Sequence, residues 1–215
     1  MSLPFAMTLL TVMAISIPAG LGIAYAARNL SESTQPPVIV AIAASAAVGI
    51  WAACVMPTLL LLAISYVLGW TLLLLGLVDA FAFRLPDILT LPLLVAGVAV
   101  AWWLPEHDLF GHAVAALLGA GAFFAISAVY LKTRGQEGLG LGDAKLAGAA
   151  GAWLGWQALP YVVLLASFAG LLWVGIAVIR RGKEALSERI PFGVALCFAM
   201  WIAWLYGTPD FFGAM

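Results

Sequence analysis

The sequence predicts an all-α membrane protein with about eight transmembrane helices. Of the 215 residues, 65% are hydrophobic and 9% are charged, whereas soluble domains carry about 25% charged residues. The mean hydropathy is +1.12. Apolar runs close to the spanning length of about 20 residues recur along the chain, with short polar segments between them. We expect a single integral membrane domain over residues 1–215, because no internal repeat divides the chain.

Each span is bounded by proline, glycine or charged residues. The first span precedes every basic residue, whereas a signal peptide begins with positive charge, so we interpret it as a retained helix. The sixth span is short and rich in glycine and alanine, and small residues let membrane helices pack closely, so we expect it inside the bundle. The predicted spans are Pro4–Ala27, Val38–Met56, Thr58–Asp79, Ile88–Leu104, Leu109–Leu131, Asp143–Trp156, Leu159–Ile179 and Ile190–Tyr206.

The basic residues indicate the orientation. With eight spans and an external N-terminus, all nine lysines and arginines fall on one side of the membrane. The other side carries Glu106, Asp108 and Asp210 and no basic residue. The positive-inside rule makes the basic side cytoplasmic, so we expect both termini outside.

Two aspartates lie beside hydrocarbon on the predicted cytoplasmic side. Asp79 closes the third span, and Asp143 opens the sixth after three alternating glycines. Two carboxylates at one depth suit hydrolysis, because like charges about 3 Å apart do not both ionise: one activates water and the other polarises the carbonyl. Both histidines, His107 and His112, fall on the other side, so a serine–histidine site lacks its base. The two cysteines form no CxxC pair and offer no metal framework.

The Leu-Pro-Asp string that ends at Asp87 and the glycine-rich string from Glu137 to Leu146 resemble segments of the type IV prepilin peptidases, which are polytopic aspartic proteases of the GxGD type. In that family, an aspartate eight residues before the aspartate of Leu-Pro-Asp pairs with the GxGD aspartate, and the matching positions here are Asp79 and Asp143. The Glu-Gly-x-Gly-x-Gly-Asp-x-Lys-Leu string is the most specific part of the resemblance. The matching segments are Asp79, Leu85–Asp87, Arg134–Leu146, Gly151–Trp156 and Ile190–Gly193.

The resemblance implies an endopeptidase of the inner membrane. It implies removal of the short basic leader of type IV prepilins or type II secretion pseudopilins at the cytoplasmic face. The implied partners are that substrate helix and the lipid bilayer, with no cofactor, metal or nucleic acid. Long family members carry a domain with two CxxC pairs after the first helix and also N-methylate their product. That place holds only residues 28–37 here, so we do not expect methylation.

A second group of residues could bind substrate or support the aspartates. Lys145 lies two positions after Asp143, on the opposite helix face, and we expect it to reach the membrane surface as an anchor. Asp87 follows a proline and is expected to cap the fourth helix, although it is also a rival for the catalytic pair. Capping is the alternative for Asp143 as well. The supporting residues are Glu137, Gly140, Gly142, Lys145 and Asp87.

Two other functions fit the same acids. One is a related GxGD peptidase with another substrate, such as an archaellin signal peptidase. The other is a non-enzymatic, proton-coupled transporter that uses the aspartates as a relay. Repeated halves or broken mid-membrane helices are typical of transporters, and the sequence has neither.

The predicted orientation can be tested with two single cysteines. We expect a cysteine at Ser187 to react with an impermeant thiol reagent only from the cytoplasmic side, and one at His107 only from outside, because of the positive-inside rule. Labelling of intact cells and inverted vesicles measures this. The opposite pattern would contradict the eight-span arrangement.

Overall fold

The computed structural model describes residues 3–31, 36–104, 108–135, 140–182, 184 and 190–207. Within these ranges there are eight α-helices and no strand, which confirms the all-α fold class. Glu137, His107 and Ser187 lie outside the described residues. The helices are α1 (Leu3–Leu30), α2 (Val38–Val55), α3 (Leu59–Ala82), α4 (Asp87–Trp103), α5 (Leu109–Arg134), α6 (Leu141–Leu154), α7 (Ala158–Arg181) and α8 (Phe192–Tyr206).

Helix lengths differ widely among the eight. In the described part of the chain, five helices are long and apolar enough to cross a membrane: α1, α2, α3, α5 and α7. Helices α4 and α8 are apolar but shorter, and α6 has only 14 residues. At 1.5 Å per residue α6 is about 21 Å long, less than a hydrocarbon core of about 30 Å.

The chain divides into two compact units, Met1–Ala82 and Phe83–Met215. In the first unit α1, α2 and α3 pack on one another. The Ser45 hydroxyl donates to the backbone oxygen of Ser16 at 2.7 Å, and the Trp70 indole donates to the backbone oxygen of Ser45 at 3.2 Å. These bonds link the three helices at one level. The buried apolar residues Ile23, Ala24 and Ala41 form a core in this unit.

Helix α6 is the centre of the second unit and contacts α4, α5, α7 and α8. Every residue from Leu146 to Trp153 is buried, which confirms that this glycine- and alanine-rich helix lies inside the bundle. The Trp153 indole donates to the backbone oxygen of Leu93 in α4 at 2.8 Å and meets the Trp204 ring of α8 edge-on. Helices α4, α6 and α8 therefore begin at the same end of this unit and run parallel.

Helix α5 packs antiparallel to α6 at backbone contact distance. A Cβ at Gly151 would lie 2.3 Å from the backbone oxygen of Ala115, and a Cβ at Gly119 would lie 2.5 Å from that of Ala147. Four residues further along α5, the contact lies four residues earlier in α6, as expected for antiparallel helices. Glycine is needed at both positions because any side chain would push the two backbones apart.

We therefore expect Gly151→Ala to destabilise the protein by about 1–3 kcal/mol, as overpacking does in tightly packed cores. The matched control is Gly121→Ala in α5, where a Cβ would meet no atom within 4 Å. That change should be neutral or slightly stabilising, because alanine is the better helix former. Thermal unfolding in detergent measures both variants, and equal midpoints would contradict the packing argument.

Candidate functional site

The candidate site is built on the first turn of α6. The helix begins at Leu141, two residues before the predicted start, and Gly140 is its N-cap residue with φ −68° and ψ 143°. The amide of Asp143 donates to the backbone oxygen of Gly140 at 3.0 Å. Asp143 is the third residue of the helix, so the expectation that it is the N-cap residue is wrong. Its carboxylate instead lies in the first turn, where the helix dipole favours negative charge.

The carboxylate of Asp143 lies close to Gly140, the N-cap residue of α6. A Cβ at Gly140 would stand 3.3 Å from Oδ2 of Asp143. Such a contact is tight, so a side chain at residue 140 would press on the carboxylate. The glycine therefore leaves the acid room at this point.

Gly142 holds a different contact. A Cβ there would lie 2.8 Å from Cβ of Leu85 and 3.3 Å from its backbone oxygen. The start of α6 thus rests on the segment that leads into α4, and Leu85 is buried by this packing. Two glycines of the motif have separate tasks, one beside the acid and one beside the neighbouring backbone.

Lys145 and Asp87 form an ion pair across the same junction. The ammonium of Lys145 lies 2.5 Å from Oδ1 of Asp87. The lysine is therefore bound to α4, by a partner that the sequence did not indicate, and its role as a membrane-surface anchor stays a prediction. The expected capping role of Asp87 is wrong: Asp87 is the first residue of α4, Pro86 precedes it as N-cap, and no side chain caps the helix.

The long helix α5 extends well beyond the start of α6. The antiparallel register of these helices brings Phe123 level with Asp143. Phe123 is buried and its ring lies 6.3 Å from the ring of Phe192, the first residue of α8. From Phe123 to Lys132 the helix rises by a further nine residues, about 14 Å.

Helix α7 extends past the same level. A Cβ at Gly170 would lie 3.9 Å from the ring of Phe192. From Gly170 to Arg180 the helix continues for ten residues, about 15 Å. The first turns of α4, α6 and α8 thus lie at a similar level, recessed from the basic ends of α5 and α7. We call this place the recess.

Asp79 belongs to the first unit and lies near the end of α3, three residues before Ala82. Only 5% of its surface is exposed, and the preceding Val78 is fully buried. A carboxylate that excludes water to this extent needs compensation by hydrogen bonds or charge. Asp79 does take part in a polar interaction.

Other candidate chemistries have no matching cluster among the described residues. No group of three or more histidine, cysteine or acidic side chains there could hold a metal ion. His112 lies at the opposite end of α6 from Asp143, with Nδ1 2.9 Å from the backbone oxygen of Ala152. The described cysteines, Cys54 and Cys197, form no disulfide.

Sequence reasoning missed the part that Leu85 and Phe123 have in forming the recess. Alternating glycines indicate that a backbone comes close, but they do not indicate which one. The partner of Gly142 lies 57 positions earlier in the chain. Only the folded structure reveals that contact.

Comparison with known proteins identifies the family. Residues 66–175, just over half of the chain, match the type IV leader peptidase family. The "Prepilin leader peptidase/N-methyltransferase" of Burkholderia pseudomallei (strain K96243) is 41% identical over 138 residues, which is 64% of this chain and 44% of that protein. Proteins of the same name from Aeromonas hydrophila and Pseudomonas aeruginosa are 41% and 37% identical over 140 residues, 65% of this chain and 48% of each relative.

The match thus spans less than half the length of these curated relatives. No solved structure matches the chain significantly. The family match includes α4 and α6, with Asp79 and the whole glycine motif inside its bounds. By this match the chain belongs to the type IV leader peptidase family.

Proposed function

We propose that this protein is an aspartic endopeptidase of the inner membrane with Asp79 and Asp143 as its catalytic residues. Its substrates are type IV prepilins or type II secretion pseudopilins, from which it removes the short basic leader at the cytoplasmic face. Both chain termini lie on the outer side. Family membership supports the reaction class, and the similarity to prepilin leader peptidases supports the substrate class.

The observation that carries the proposal is the placement of Asp143. Its carboxylate lies in the first turn of a buried helix, with glycine beside it at residue 140. The assignment of Asp79 depends on its position eight residues before Asp87 and on its burial near the end of α3. Asp87 is a weaker choice because its carboxylate is bound to Lys145.

The reaction needs two protonation states. An ionised aspartate takes a proton from water while the oxygen attacks the carbonyl carbon of the scissile peptide bond. A protonated aspartate donates to the carbonyl oxygen. The tetrahedral intermediate then collapses as the C–N bond breaks, and a proton passes to the leaving amine. Proton transfer and bond cleavage therefore use one water and no cofactor.

The recess suits cleavage next to an apolar helix. Apolar residues fill α5 up to Leu131 and α7 up to Ile179, and basic residues follow directly on both helices. Such basic ends lie at the membrane–water interface. Asp143 would then lie on the same side of the membrane as these basic ends, recessed from them. The start of a substrate's membrane helix would enter the recess from that side.

Methylation of the product is not part of the proposal. Residues 28–37 contain no cysteine, so the sequence between the first two helices holds no CxxC pair. Incubation with S-adenosylmethionine and a cleaved pilin tests this, with a mass gain of one methyl group as the contradicting result.

The central test is cleavage by the purified protein. We expect Asp79→Asn and Asp143→Asn each to abolish cleavage of a prepilin, because an amide neither takes nor gives the required proton. Asp87→Asn should retain measurable activity. Mass spectrometry of the products locates the cut, and membrane fractionation checks that each variant is inserted. Wild-type turnover by either catalytic variant would remove that residue from the mechanism.

Gly142, which packs against Leu85, offers a second test. We expect Gly142→Ala to lower kcat/KM by roughly 10- to 100-fold, because its Cβ would displace α6 from Leu85 and shift the carboxylate. Gly175→Ala is the matched control, since a Cβ there meets nothing within 4 Å. Equal kcat/KM values for the two variants would show that the contact with Leu85 has no bearing on the reaction.

A further inference from the structure

The first turns of α4 and α6 are joined at two points. Gly142 lies against the backbone of Leu85, and Lys145 is bound to Asp87 two residues further along. Both contacts lie within one turn of Asp143 on α6. The ion pair therefore spans the junction that sets where the carboxylate of Asp143 lies.

The placement of Lys145 calls for a counter-charge. The lysine is the fifth residue of α6, close to the positive end of the helix dipole, where a cation is disfavoured. Asp87 is in the first turn of α4, where an anion is favoured. Two residues along a helix correspond to about 200°, so Lys145 projects away from Asp143 and toward α4. The salt bridge satisfies both charges.

We propose that Lys145 and Asp87 are a positioning pair for the peptidase reaction. The pair fixes the first turn of α6, and with it the Asp143 carboxylate, against the segment that leads into α4. It also keeps the charge beside Asp143 neutral. Neither side chain touches the substrate. This role rests on the proposed function and deepens it.

The kinetic test compares six variants with prepilin as substrate. We expect Lys145→Met and Asp87→Asn each to lower kcat by roughly 10- to 100-fold with little change in KM, because a misplaced acid affects only the chemical step. Lys145→Arg and Asp87→Glu should retain most activity. The exchanged pair K145D/D87K should recover at least part of what the single variants lose. Lys132→Met is the control for removing an exposed lysine and should match the wild type.

The pH dependence separates positioning from a general loss of folding. In Asp87→Asn an unbalanced cation remains beside Asp143, and cations favour ionised carboxylates. The acidic limb of the pH–rate profile should then move to lower pH. In Lys145→Met an unbalanced anion remains, so the limb should move to higher pH. Asp143 and Asp79 are the proposed groups whose titration sets this limb. A loss of folded protein would shift neither profile.

A measurement without substrate tests the junction independently. Hydrogen–deuterium exchange of the peptide covering the first turns of α6 should be faster in both single variants and should return toward the wild-type rate in K145D/D87K. Wild-type exchange and wild-type kcat in both single variants would overturn the proposal. If the wild-type protein cleaves no prepilin, the proposed function fails, while the exchange rates still decide whether the pair holds the junction.

Discussion

Close backbone contact around α6 fixes the position of this helix, and with it the arrangement of the second unit. Between membrane helices there is no hydrophobic driving force, because lipid is as apolar as the side chains, so association depends on packing and hydrogen bonds. Gly119 and Gly151 bring α5 and α6 into backbone contact. Gly97 has no side chain, and the indole ring of Trp153 packs against it. A helix surrounded in this way is held in one register, and that register sets the level of Asp143.

The difference in helix length creates the recess within this packing. Helix α6 has 14 residues and α8 has 15, whereas α5 and α7 have 26 and 24. Because the short and long helices are flush at one end, the short ones end early at the other. The polar groups at the starts of α4 and α6 therefore come together at a level short of the basic ends of α5 and α7. Polar groups in a membrane protein are tolerated at such a depth only where hydrocarbon is excluded.

The sequence predicted the fold class and all eight helices, because membrane spans are long apolar runs and their polar breaks are sharp. The burial of α6 was also predictable from its glycines and alanines. The ion pair at the start of α6 was not predictable. Helical periodicity placed Lys145 on the face away from Asp143, but it could not show that Asp87, 58 positions earlier, lies there to receive it. Local sequence encodes the direction of a side chain and not its tertiary partner.

The ion pair also distinguishes two acids that the sequence treats alike. Asp87 and Asp143 each lie in the first turn of a helix, and these two helices start side by side. The carboxylate of Asp87 lies 2.5 Å from the ammonium of Lys145. The Lys145 side chain extends to α4 and binds Asp87, so the two acids differ in this contact, although both lie in the first turn of a helix.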